Sequence, residues 1–138
     1  MEKPNQMQWN LGGWIGGQLG GTVWMLVAGL LSFSVDPAAA VKVIALFALA
    51  NLVGVLLWRR RGGLSPYTGI QILLPVLGVF GLTAVFVLDR ADIYETIQIG
   101  AAISARATYI VIVVTVAALM LMFYFQFGRR SEKKDEAT

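Results

Sequence analysis

Four runs of apolar residues, each near the length that crosses a bilayer, leave this chain of 138 residues few ways to fold. They cover 11–35, 38–58, 67–88 and 107–127, and none holds Asp, Glu, Lys, Arg or His at its centre. Crossing ~30 Å of hydrocarbon takes about 20 helical residues at 1.5 Å each. Inside lipid every backbone N–H and C=O must be bonded within the protein, so each run is predicted to be a helix. Apolar residues make up 57% of the chain and the mean hydropathy is +0.71, too high for an ordinary soluble domain. The expected fold is therefore all-α: a polytopic membrane protein built as a four-transmembrane-helix bundle, with a short interfacial helix before the fourth span.

The connections are short. Residues 1–10 form a polar arm with almost no net charge, and the run after it exceeds the ~7–15 apolar residues of a secretory signal. The first run is thus read as a retained span. Asp36-Pro37 and Ser65-Pro66 pair a capping residue with a proline at the first helical position, and they mark the starts of the second and third helices. Pro75 falls inside the third run and is expected to kink it. In 93–106, Ile93, Ile97 and Ala101 recur every four residues, while Glu95, Gln98, Ser104 and Arg106 forbid a hydrocarbon span; this is the interfacial helix. Residues 128–138 are a charged tail.

Charge sets the expected orientation. Lys3, Arg59, Arg60, Arg61, Arg129, Arg130, Lys133 and Lys134, eight of eleven basic residues, fall on one side of a four-span topology. Lys42, Arg90 and Arg106 fall on the other, with Asp36, Asp89, Asp92 and Glu95. Basic loops stay inside, so both termini are expected in the cytoplasm, with a bacterial inner membrane as the location. Trp9, Trp14, Trp58, Tyr67 and the aromatic residues from Phe123 to Phe127 fit the cytoplasmic interface. Arg59, Arg60 and Arg61 would also meet anionic lipid headgroups. A nucleic-acid partner is excluded by the lack of a folded basic surface.

The first run carries the most distinctive pattern: Gly12-Gly13, Gly16-Gly17 and Gly20-Gly21. At ~100° per residue the doublets make two adjacent stripes of bare backbone, Gly12, Gly16, Gly20 and Gly13, Gly17, Gly21. Six glycines would each weaken a helix in water by about 1 kcal/mol relative to alanine. In lipid, small residues every four positions let another helix come close. The six are read as a helix-packing face, within the chain or between copies. Trp24 lies at the far end of the same sector, as a knob filling the space where the glycines stop or as an aromatic wall for a lipid or small ligand.

Gln18, Thr22, Ser32, Asn51, Gln71 and Thr83 are the polar residues inside the runs. Gln18, Asn51 and Gln71 are expected near one level, as hydrogen-bonded glue between helices or, with Trp24, as the lining of a pore or crevice. Asp89, Asp92 and Glu95, with Arg90 and Arg106, form a charged cluster that could bind a hard cation such as Ca²⁺, but Arg90 competes for the carboxylate oxygens and no EF-hand pattern is present, so a solvated loop with ion pairs is expected. The chain has neither cysteine nor histidine, which removes the usual thiolate, haem and metal ligands. No metal, cofactor or catalytic constellation is expected. The absence of embedded charge also argues against proton-coupled transport and voltage sensing. The expected function is a non-catalytic membrane subunit that packs through its first helix into a homo-oligomer or larger complex; the alternative is an oligomeric passive channel or facilitator for a small solute.

Overall fold

A computed structural model describes residues 7–96 and 104–128. All the secondary structure described there is helical: α1 (Leu11–Ser32), α2 (Pro37–Arg59), α3 (Pro66–Arg90), the single turn α4 (Ile93–Thr96) and α5 (Ala105–Phe123). A π-helical turn, Tyr124–Gly128, extends α5. Four of these segments, α1, α2, α3 and α5 with its π-turn, are long and apolar enough to cross a membrane. Lys3, Ile97, Gln98, Ala101 and the basic residues of the tail lie outside the described residues.

The caps explain where each helix starts. Asp36 Oδ1 accepts from the N–H groups of Ala38 and Ala39 at 2.9 and 3.0 Å, with Pro37 at the first position. Ser65 Oγ accepts from Thr68 N–H at 3.1 Å, with Pro66 following. Asn10 and Ser104 cap α1 and α5 in the same way, through Gly13 N–H at 3.0 Å and Ala107 N–H at 3.2 Å. Every boundary but Leu11 shifts by one to three residues from the sequence reading, and two of the shifts have a clear local cause. α1 stops at Ser32 rather than Val35, because residues 33–35 form the turn that brings Asp36 into its extended capping conformation. The fourth span begins at Ala105 rather than Ala107, directly after its serine cap. The interfacial helix is only the turn α4 among the described residues. It follows Asp92, whose positive φ of 54° closes the end of α3, and it buries Ile93 in the core. Pro75 sits within α3, where its missing N–H leaves the Gln71 carbonyl without its in-helix donor.

Trp14, Gln18, Thr22, Met25, Gly29 and Ser32 form the buried stripe of α1, spaced three and four apart so that one line of the helix faces α2. From α2 they meet Ala39, Ala40, Val43, Ala50 and Gly54, mostly small residues that let the backbones approach. The approach is closest at Gly29, where an added Cβ would lie 2.6 Å from Ile44 Cγ1 and 3.3 Å from the Ala40 carbonyl oxygen. Met25, Val43, Ala50, Ala84, Leu88 and Ile93 form the core shared by α1, α2, α3 and α4. α3 packs broadly on α2 and narrowly on α1, and α5 lies along α3. No residue of α5 itself is buried. The bundle is therefore a three-helix core with the fourth span on one flank. Both described ends of the chain sit together: Trp9 Nε1 donates to the Leu64 carbonyl at 3.1 Å, and Gly128 lies against the Tyr67 hydroxyl at the start of α3.

Candidate functional site

Two places in the bundle gather the residues singled out above, a polar clasp between α1 and α2 and an open groove beside α1.

The clasp is made of Gln18, Thr22 and Asn51. Gln18 Nε2 donates to the Asn51 carbonyl at 2.6 Å and to Asn51 Oδ1 at 3.0 Å. Asn51 Nδ2 donates to Thr22 Oγ1 at 3.0 Å and to the Phe47 carbonyl at 2.8 Å. The Thr22 hydroxyl returns a bond of 2.8 Å to the Gln18 carbonyl. Gln18 is 4% exposed and Thr22 is fully buried, and both bond the half-buried Asn51 across the α1–α2 contact. Such bonds between membrane helices contribute about 0.6 kcal/mol each. Gln71 is not part of the clasp: its Nε2 donates to the Met120 carbonyl of α5 at 3.1 Å, tying the fourth span to the third. The three amides thus divide between two helix pairs. Ser32 and Thr83 bond carbonyls of their own helices, Ala28 at 2.6 Å and Val79 at 2.8 Å.

Gly54 is the residue the sequence reading missed. A Cβ there would fall on the Gln18 amide, so only a glycine leaves room for that side chain. Its carbonyl also accepts from Trp14 Nε1 at 3.0 Å. The available signal was its place three residues after Asn51, on the same face of α2.

Above the clasp, three tryptophans gather. Ring centroids are 4.9 Å apart for Trp9 and Trp14, 5.5 Å for Trp9 and Trp58, and 6.4 Å for Trp14 and Trp58. Trp14 is buried in the α1–α2 contact. Gly69 of α3 makes space for the cluster; a Cβ there would stand 2.7 Å from the Trp9 ring. The Arg61 guanidinium lies over Trp58, 4.8 Å from its centroid, and donates to the Trp58 carbonyl at 3.2 Å.

The six doublet glycines lie off the face that meets α2, and all are exposed. An added Cβ at Gly16, Gly17 or Gly20 would meet nothing within 4 Å; at Gly12 and Gly13 it would meet only Asn10, and at Gly21 only Leu77 Cδ1 at 3.4 Å. The two stripes have different surroundings. Gly16 lies roughly 160° around the helix from Gln18, so Gly12, Gly16 and Gly20 point away from the bundle. Gly13, Gly17 and Gly21 flank a groove whose floor is α3 and whose far wall is α5. Two cavities of about 380 and 270 Å³ make up this groove, and they share Gly17, Leu74, Leu77 and Leu119. Trp9 stands at one end and Trp24 at the other. The Trp24 ring reaches α3, with Cζ2 3.6 Å from where a Gly81 Cβ would be, and its Nε1 donates to Gly21 O at 3.1 Å.

At the opposite end of the bundle, Arg90 lies over the Phe86 ring at 5.3 Å. Burial raises the Tyr94 phenol above its ordinary value, a hydrogen bond with Thr108 opposes the rise and Asp89 adds to it, so Tyr94 is neutral at physiological pH. Among the described residues no three acidic, histidine or cysteine side chains are grouped to hold a metal ion.

Compared with protein-family models, with curated proteins and with solved structures, the chain gives no match. Its own fold defines its class, an integral membrane protein with four spanning helices.

Proposed function

We propose that the protein is a non-catalytic membrane subunit that associates, with copies of itself or in a larger membrane complex, through the outward stripe Gly12, Gly16 and Gly20. One observation carries this reading: along three consecutive turns of bare backbone on a spanning helix, an added Cβ would meet nothing of its own chain except the capping Asn10 at Gly12. Glycines at this spacing lower helix stability and gain nothing from lipid contact, whereas a second helix against them gains close packing. The passive-channel alternative draws no support from the amides, since Gln18 and Asn51 bond each other and Gln71 bonds Met120.

The copy number of the detergent-extracted chain, read by native mass spectrometry, is the test. Gly16→Leu places a branched side chain where two backbones should nearly touch, and overpacking of that kind costs about 1–3 kcal/mol. The expected result is a shift to monomer for Gly16→Leu and no change for Leu19→Ile on the neighbouring face. An assembly unaltered by Gly16→Leu would overturn the reading.

The proposed location is a bacterial inner membrane with both termini cytoplasmic and the Arg59–Arg61 turn against anionic headgroups. A reporter fused after Thr138 is expected to behave as cytoplasmic, and one inserted after Ala91 as external. The reverse labelling would contradict the orientation.

A further inference from the structure

The geometry points to the groove between α1, α3 and α5 as a site for one acyl chain of an anionic phospholipid, its headgroup held at the Arg59–Arg61 turn. Length is the first reason. From Gly13 to Trp24 the groove follows eleven residues of α1, about 16 Å at 1.5 Å each, which is half of a ~30 Å hydrocarbon core. It is thus one leaflet deep. Trp24 closes it near mid-membrane, where a lipid tail ends, and Trp9 frames the other end, where a headgroup begins.

Width is the second reason. The two cavities of about 380 and 270 Å³ run end to end along the groove and are large enough for a slender hydrocarbon chain. The walls are nearly all apolar, and α1 narrows to backbone at Gly13, Gly17 and Gly21.

Charge supplies the third. Lipid tails are as apolar as the groove, so the tail alone gives little preference over bulk lipid. Selection falls to the headgroup. Trp9 walls the mouth, its ring touches Trp58 at 5.5 Å, and Arg61 lies on Trp58 at 4.8 Å, with Arg59 and Arg60 exposed beside it. Pro66, which also lines the mouth, begins the helix directly after this turn. A basic turn joined to the mouth of a leaflet-deep apolar slot through the Trp9 and Trp58 rings matches a molecule with an anionic head and a long tail. This site uses Gly17, not the outward stripe, and does not depend on association between copies.

The test is lipid retention by the full chain, extracted from vesicles of phosphatidylcholine with an equal share of phosphatidylglycerol and read by native mass spectrometry. The unmutated chain should keep phosphatidylglycerol over phosphatidylcholine by about tenfold, equivalent to about 1.4 kcal/mol, the size that one or two arginines at a membrane surface supply. Gly17→Leu fills the slot and should abolish retention of both lipids; Gly16→Leu should leave it unchanged. Arg61→Gln should lower the preference for phosphatidylglycerol. A second measurement needs no variant: phosphatidylglycerol brominated along its tails should quench tryptophan emission more strongly than brominated phosphatidylcholine at equal content. Equal retention of the two lipids, retention by Gly17→Leu, equal quenching, or a disulfide between copies carrying Leu119→Cys would each overturn the assignment. The last of these would show a second copy in the groove.

Discussion

Gly54→Ala is expected to destabilise the bundle by about 2–4 kcal/mol, far beyond the usual effect of one added methyl group in a helix. In isolation alanine is the better helix former by about 1 kcal/mol, so helix propensity predicts the opposite sign. The difference comes from what lies against the α carbon. The new Cβ would occupy the position of the Gln18 amide, which is buried against α2. Its expulsion breaks the bonds to the Asn51 carbonyl and Oδ1, and leaves polar atoms buried without partners. Equilibrium unfolding in SDS against a mild detergent measures this, with Gly54→Ala compared to the double variant carrying Gln18→Ala. Removing the glutamine relieves the clash, so the double variant should recover part of the loss. A double variant no better than Gly54→Ala would show that the amide is not what opposes the methyl group.

The second large effect belongs to Gly29. Gly29→Leu is expected to cost about 1–3 kcal/mol of bundle stability. One neighbour of the new Cβ, Ile44, is a side chain that can rotate, but the other is the Ala40 carbonyl oxygen, 3.3 Å away and fixed in α2. The backbones must then part along the contact that also holds Met25 and Val43, both fully buried. Gly20→Leu in the same helix makes the comparison sharp, since an added Cβ at Gly20 meets nothing within 4 Å. It should leave the stability of the separated monomer unchanged. The same SDS titration, run on monomers, measures both; equal effects at Gly29 and Gly20 would contradict the packing described for α1.

These two glycines also show where the sequence was readable and where it was not. Long apolar runs report spanning helices directly, and Asp36-Pro37 and Ser65-Pro66 placed two helix starts because cap and proline stand together. Asn10 and Ser104 cap just as well, but a lone polar residue before a helix looks like many others. Pairing of Gln18 with Asn51 was foreseeable, since two amides in hydrocarbon seek partners. The partner of Gln71 was not: it is a main-chain carbonyl at Met120, a group that every residue has. Among the glycines, the conspicuous doublets lie on the open side of α1, and those in tight contact, Gly29, Gly54 and Gly69, stand singly. Glycine has no side chain whose polarity would tell inside from outside, so repetition drew attention to the doublets and context alone identifies the others.

The hydrogen bonds divide the chain into two halves with a consequence for its synthesis. By the time Trp58 has been made, the polar side chains of α1 and α2 described above already have partners within that pair: Gln18, Thr22 and Asn51 bond one another, Trp14 reaches the Gly54 carbonyl, and Ser32 bonds its own helix. The first hairpin can therefore pass from the insertion machinery into lipid as a finished unit. α3 cannot do so alone, because Gln71 awaits Met120, and Gly78 lies bare until Val116 covers it. The third and fourth spans should leave the insertase together, as a second hairpin docking on the first.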